Sequence, residues 1–286
     1  MTSIGITTDS TADFPEGMAE KFNIRIMPVH VVVDSKNYLD GIDISGKEVL
    51  DKMKNNSSVF TRPGTPAEYA DLFENMLKKY DQVLSFHIAS NLSECFQSAK
   101  NGLKLLPQAA EKKVKIFDTK STSIGQAMFV MKACQILRKD KTVKDLENKI
   151  NLEMVTCVSN FTVESLKWLK KNGKIGSFGA AFGNMLDLKP LIVLKDSSLK
   201  PIGNIRGKKN ILNEMASYAG KTKQRTGFDY EAWITHCEAP EDADYLGKKL
   251  GENIETDVSN IKTIKAGASI AAQAGPGSIG WGMIKK

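Results

Sequence analysis

Ser3-Ile4-Gly5-Ile6-Thr7-Thr8-Asp9, the stretch SIGITTD at residues 3–9, reads as a strand. Two later stretches repeat it, QVLSFHI at 82–88 and VKIFD at 114–118, and amphipathic helical segments separate the three. This βαβα alternation predicts a mainly parallel sheet covered by helices, because parallel strands are joined by helical crossovers and are buried on both faces. Two helix starts are legible outside the strands. Ser45 with Glu48, and Thr65 with Pro66 and Glu68, fit capping boxes, the second with proline at the first helical position. A second cycle begins near residue 155, with strands at TCVSNFT (156–162), PLIVL (190–194) and EAWITHC (231–237). A helix is expected near 208–220 and another opened by Pro240. The expected fold class is α/β in two domains, 1–155 and 156–286. No linker marks the boundary, and no internal repeat is present.

The chain has 286 residues, 41% of them apolar, enough for a large core without covalent staples. Its four cysteines (Cys95, Cys134, Cys157, Cys237) form no CxxC pair, so neither a disulfide framework nor a zinc ribbon is indicated and buried free thiols are expected. The start, MTSIGITTDSTADF, has no basic segment followed by an apolar run, and no stretch is apolar and long enough to span a bilayer. A cytoplasmic protein without a transmembrane segment is the expectation. The net charge of +7 is unevenly spread: residues 167–225 carry 13 Lys/Arg against 3 Asp/Glu, and residues 229–257 carry 9 acids against 2 lysines. That basic stretch lacks a recognition helix or aromatic interleaving, so a nucleic-acid partner is not expected.

Several motifs fail on context. Gly275-Pro276-Gly277-Ser278-Ile279-Gly280 matches GxGxxG, but no helix of useful length and no acidic residue follows it. A tight turn suits those glycines better. Gly267-Ala268-Ser269-Ile270-Ala271 approximates a nucleophile elbow, yet no Asp, Glu or His follows Ser269. His30, His87 and His236 show no metal-ligand spacing and are expected as core or rim histidines.

What remains is a set of hydroxyls where strands end and helices begin: Thr7, Thr8, Ser10, Thr11; Thr61, Thr65; Ser90, Ser93; Ser121, Thr122, Ser123. In open α/β sheets this rim binds ligands, and helix N-termini there offer free N–H groups to an anion. Ser93, with the amides of Glu94 and Cys95, and Thr61 from a neighbouring loop are placed to hold a carboxylate. Ordinary capping is the competing role for each of them. A third possibility is an acyl hydrolase with Ser93 as nucleophile and His87 or His236 as base. Nucleotide binding at the rim rests on fold analogy alone.

TDSTADFP, LDGIDIS, TRPGTPAEY, SNLSECFQSA, DTKSTSIG, WLKKNGKIG, LDLKPLIVL and AGPGSIG, in this order, resemble the DegV family over nearly the whole chain. The resemblance implies two α/β domains with a fatty acid sealed between them, its carboxylate on a threonine, a serine and a histidine and its tail in an apolar tunnel. It further implies a carrier, not an enzyme, that presents its long-chain fatty acid to a fatty-acid kinase, with no metal and no cofactor besides that ligand. Thr61 and Ser93 match the family threonine and serine. Gln273 stands where the histidine is expected, keeping a donor but unable to become cationic. Glu94 replaces a glycine, and Arg62 replaces a small polar residue and brings a positive charge. Lys174 replaces an arginine, keeping charge without the bidentate fork. Arg206, Lys208 and Lys209 match a basic segment near the pocket mouth and, with Lys174, are the expected kinase-facing residues.

Overall fold

The computed structural model describes residues 2–139, 143–174 and 188–286. Ile175–Gly176 and Leu186–Asp187, the ends of two of the quoted motifs, lie outside the described residues. SIGITTD forms β1 (Ile4–Asp9), followed by β2 (Ile24–Met27). A small antiparallel sheet comes next, made of β3 (His30–Val33), β4 (Lys36–Leu39) and β5 (Val59–Arg62) in the order β4-β3-β5. With β6 (Gln82–His87) and β7 (Val114–Asp118), β1 and β2 form a four-stranded sheet, order β2-β1-β6-β7, in which every pairing is parallel.

The strand residues alternate between two cores. Val83 packs under helices Pro66–Leu77 and Cys95–Leu103 with Tyr69, Phe73 and Ala99, while Leu84 and Phe86 face the helix Ser123–Lys139. Burial on both faces explains why these strands read as continuous apolar runs. Phe86 stacks on Phe117 at 4.9 Å and meets Phe129 edge-on at 5.7 Å, contacts worth about 1 kcal/mol each beyond the area they bury. The first half of the helix Ser123–Lys139 is buried on every side, because it also packs against Trp233, Ile264 and Ile284 of the second sheet.

That second sheet contains β8 (Val158–Thr162), β9 (Leu188–Lys195), β10 (Ser198–Arg206), β11 (Tyr230–His236), β12 (Lys262–Lys265) and β13 (Ile279–Lys285), in the order β10-β9-β8-β13-β11-β12. Among the described residues only β11–β12 pairs in parallel in this sheet. The mixed character has local causes. Asp196 and Ser197, both at positive φ, close a two-residue hairpin between β9 and β10, and such a turn permits only antiparallel strands. Helices Lys208–Thr226 and Pro240–Ile254 cover the outer face, matching the two helices expected there. Both capping boxes form: Glu48 N donates to Ser45 Oγ and Ser45 N to Glu48 Oε2, and Thr65 and Glu68 repeat the exchange. The helix Ala268–Ala274 packs back on the three-stranded sheet and the helix Gly46–Lys54, which carries it to the N-terminal half.

Candidate functional site

Asp9, at the end of β1, organises one side of the site. It is fully buried, and both oxygens are saturated. Oδ1 accepts from the Thr11 backbone N–H, the Thr11 hydroxyl and Gln126 Nε2; Oδ2 accepts from Ile88 N at 3.1 Å and faces His87 Nδ1 at 3.2 Å. Burial pushes this carboxyl up, but the bonds from His87, Thr11 and Gln126 outweigh it and hold Asp9 below the usual range. The network locks the turn after β1 to the end of β6, where Ile88 and the loop carrying Ser93 begin.

Beside that turn lies a cavity of about 420 Å³, walled by both halves of the chain. This size is usual for small-molecule sites. Thr61, Arg62, Ser93, Glu94, Lys174 and Gln273 all line it, and Val29, Ile88, Ile124, Phe161, Leu169 and Ile270 supply much of its apolar surface. Gln273 Nε2 donates to Thr61 Oγ1 at 2.8 Å, joining β5 to the helix Ala268–Ala274 across 212 residues of sequence. Gln273 Oε1 is buried without a partner among the described residues. Thr61 belongs to β5 and not to a loop, and Thr7 and Thr8 are likewise inside β1.

Ser93 sits one residue before the N-cap of the helix Cys95–Leu103. Its Oγ accepts from Cys95 N at 3.3 Å and donates to Cys95 Sγ at 3.2 Å, so the Cys95 amide is already engaged. Lys174 Nζ donates to Leu92 O at 2.6 Å, immediately before Ser93. Desolvation lowers the pKa of Lys174, against the pull of Cys95 and the Glu94 carboxylate. The Arg62 guanidinium donates to Asn37 Oδ1 at 3.4 Å. The other basic residues lie outside the lining. Lys208 is committed to structure: Nζ donates to Gly277 O at 2.9 Å and pairs with Asp242 at 3.0 Å and Glu164 at 3.4 Å. Lys209 lies over the Tyr245 ring at 5.9 Å, and both it and Arg206 are exposed.

Ser93 has no histidine among its hydrogen-bond partners. His87 Nε2 instead lies 2.7 Å from Ser85 Oγ, and Ser85, His87 and Asp9 thus stand in the order of a hydrolytic triad. All three are 0% exposed and none lines the cavity, so this array serves the core. His236 Nδ1 accepts from Ala239 N, and His30 faces Glu68. Gly275 and Gly277 form the expected positive-φ turn, with Trp168 packed so closely that a Cβ on Gly275 would lie 2.0 Å from its ring. Among the described residues no group of His, Cys, Asp or Glu is arranged to hold a metal, and no helix is long and apolar enough to cross a membrane.

The model of the DegV family, described as uncharacterised proteins, matches residues 3–286. The chain belongs to the DegV family. A DegV domain-containing protein of Deinococcus radiodurans is 28% identical over 280 residues, 97% of each chain. Among solved structures, a DegV family protein from Thermus thermophilus, described by its fatty-acid binding, superposes with a TM-score of 0.91 at 25% identity, covering 99% of this chain and 100% of that one. A stearic-acid-binding protein from Eubacterium ventriosum superposes with a TM-score of 0.89 at 24% identity, covering 100% and 99%.

This DegV chain also uses two acids that sequence reading passed over. Asp13 Oδ1 accepts from Gly267 N at 2.8 Å and its other oxygen from the Ser123 hydroxyl; Asp40 accepts from Ala268 N at 2.9 Å and Ser10 Oγ at 2.8 Å. Together they anchor the N-terminus of the helix that carries Gln273. Burial pushes Asp13 up to about 7, against the bonds from Ser123 and Gly267 and with some help from the Asp40 charge. Burial raises Asp40 as well. Their place in TDSTADFP and LDGIDIS was the available signal, but nothing local tells a capping acid from a surface acid. All four cysteines are free; Cys95, Cys134 and Cys237 are buried as expected and Cys157 is half-buried, and desolvation raises Cys134 and Cys157 to about 12.

Proposed function

We propose that this chain binds a long-chain fatty acid, with its carboxyl group at Thr61, Ser93 and Gln273 and its tail along the apolar wall of a tunnel between two domains divided near residue 155. One observation carries the reading: the Thr61–Gln273 hydrogen bond and Ser93 meet in a single cavity whose other walls are largely apolar. The fatty-acid binding of the Thermus thermophilus relative supports it. Burying ten or more methylenes at about 0.8 kcal/mol each contributes on the order of 8 kcal/mol before ordering costs, enough for roughly micromolar affinity. Ser93 lacks a histidine partner, which favours carrying the acyl chain over hydrolysing it. The carrier would present its cargo to a fatty-acid kinase in the cytoplasm, with exposed Arg206 and Lys209 as docking charges. Native mass spectrometry of protein purified without detergent tests the binding. A bound acyl mass is expected; protein that carries none and takes up none on titration rules the reading out. Formation of acyl phosphate with the kinase and ATP, dependent on this chain, tests the presentation.

A further inference from the structure

Resting on that reading of the cavity, we infer that the head-group end is built for an un-ionised group that both accepts and donates a hydrogen bond from one carbon, either the protonated carboxylic acid or a primary carboxamide. Gln273 Nε2 is given to Thr61 Oγ1, which leaves the Thr61 proton free to point at a ligand. Gln273 Oε1 is buried and has no donor among the described residues. The pair therefore offers one donor and one acceptor. Exchanging the two ends of the amide keeps that count, since Thr61 would then donate to Oε1 and expose its lone pairs beside a free N–H. A carboxylate has nothing to donate, whereas a protonated acid or amide fills both positions.

The charges around the site agree. Among the described residues the ionisable groups lining the cavity are Arg62, Glu94, Lys174, His236 and Cys237. Arg62 is turned to Asn37, Lys174 to the Leu92 carbonyl, and His236 to the Ala239 amide. Glu94 adds an acid next to Ser93, and Asp13 and Asp40 lie at the other end of the helix that holds Gln273. Among the described residues no cation donates a hydrogen bond to the Thr61–Gln273 pair to balance a buried anion, and an unbalanced one is costly.

Displacement of a fluorescent acyl probe by hexadecanoic acid, hexadecanamide and methyl hexadecanoate tests the inference. The amide is expected to bind equally at pH 5.5 and pH 8. The acid should weaken about tenfold per pH unit above its own pKa, because only the protonated fraction competes. The ester, which accepts but cannot donate, should bind roughly tenfold more weakly than the amide. Gln273→Leu should remove the difference in affinity between amide and ester, with a lowered melting temperature from the lost Thr61 hydrogen bond. An acid that binds equally at both pH values while the amide is at least tenfold weaker overturns the inference and leaves fatty-acid binding intact. An amide preference that survives Gln273→Leu overturns it too. Failure of all three compounds to displace the probe removes the proposed function itself, and the inference with it.

Discussion

Gln273 and Thr61, 212 residues apart, share a 2.8 Å hydrogen bond at the wall of the cavity. Each holds the other in place: the helix Ala268–Ala274 positions the amide, and β5 positions the hydroxyl. Thr61→Val keeps the shape and removes both the acceptor for Gln273 and the free donor. We expect a stability loss of about 1 kcal/mol by urea denaturation and a loss of acyl affinity of about tenfold. Unchanged affinity would take Thr61 out of the site.

Ser93→Ala leaves the Cys95 amide without its side-chain acceptor. A capping loss of about 1 kcal/mol follows, with acyl binding weakened to a similar degree as for Thr61→Val. Activity on acyl esters should be flat in both native and variant protein. Ester turnover that disappears with the serine would restore the hydrolase reading.

Asp9→Ala removes the acceptor for Thr11, Gln126, Ile88 N and His87 in a fully buried site. Loss of one partner from a buried charged network costs about 3–5 kcal/mol. The variant is expected to be largely unfolded or to melt far below the native chain. A melting temperature within a few degrees of native would contradict the role given to Asp9.

The buried acids set opposite pH windows. Asp13 is raised to about 7, so its folded form binds protons more tightly than the unfolded chain does; that stabilisation is fully present below about pH 4 and is lost as pH rises through 7. Asp9 is lowered, so its contribution is present above about pH 4 and disappears as pH falls through the depressed value. Stability should therefore decline between about pH 4 and 7, by up to roughly 4 kcal/mol from Asp13. Asp13→Asn should flatten that decline, measured by denaturation across the range. An equally steep decline in the variant would assign it to other groups.

Gly275→Ala forces a Cβ to 2.0 Å from the Trp168 ring at a positive φ of 78°. A destabilisation of about 3 kcal/mol or more is expected, with Trp168 displaced and seen as altered tryptophan fluorescence. A substitution that leaves both unchanged would mean the turn is looser than its packing indicates.

Much of the N-terminal half was readable because its signals are local. An apolar run between polar ends is a strand wherever it lies, and Ser45 with Glu48 caps its own helix. The three-stranded sheet went unread because its strands have four residues each and carry no period long enough to detect. The antiparallel course of the second sheet escaped for another reason. Strand direction is set by connections such as the Asp196–Ser197 turn, and apolar runs look the same in either direction.

The sequence by itself determined the α/β class, the parallel first sheet and the helix caps, since each depends on residue type and spacing alone. Only the tertiary structure decided which hydroxyls share a cavity, that Lys208 is bound to Gly277, Glu164 and Asp242, and that Asp13 and Asp40 anchor the helix carrying Gln273. Those relationships join residues 34 to 254 positions apart, and pairing over such distances is a property of packing that no local pattern encodes.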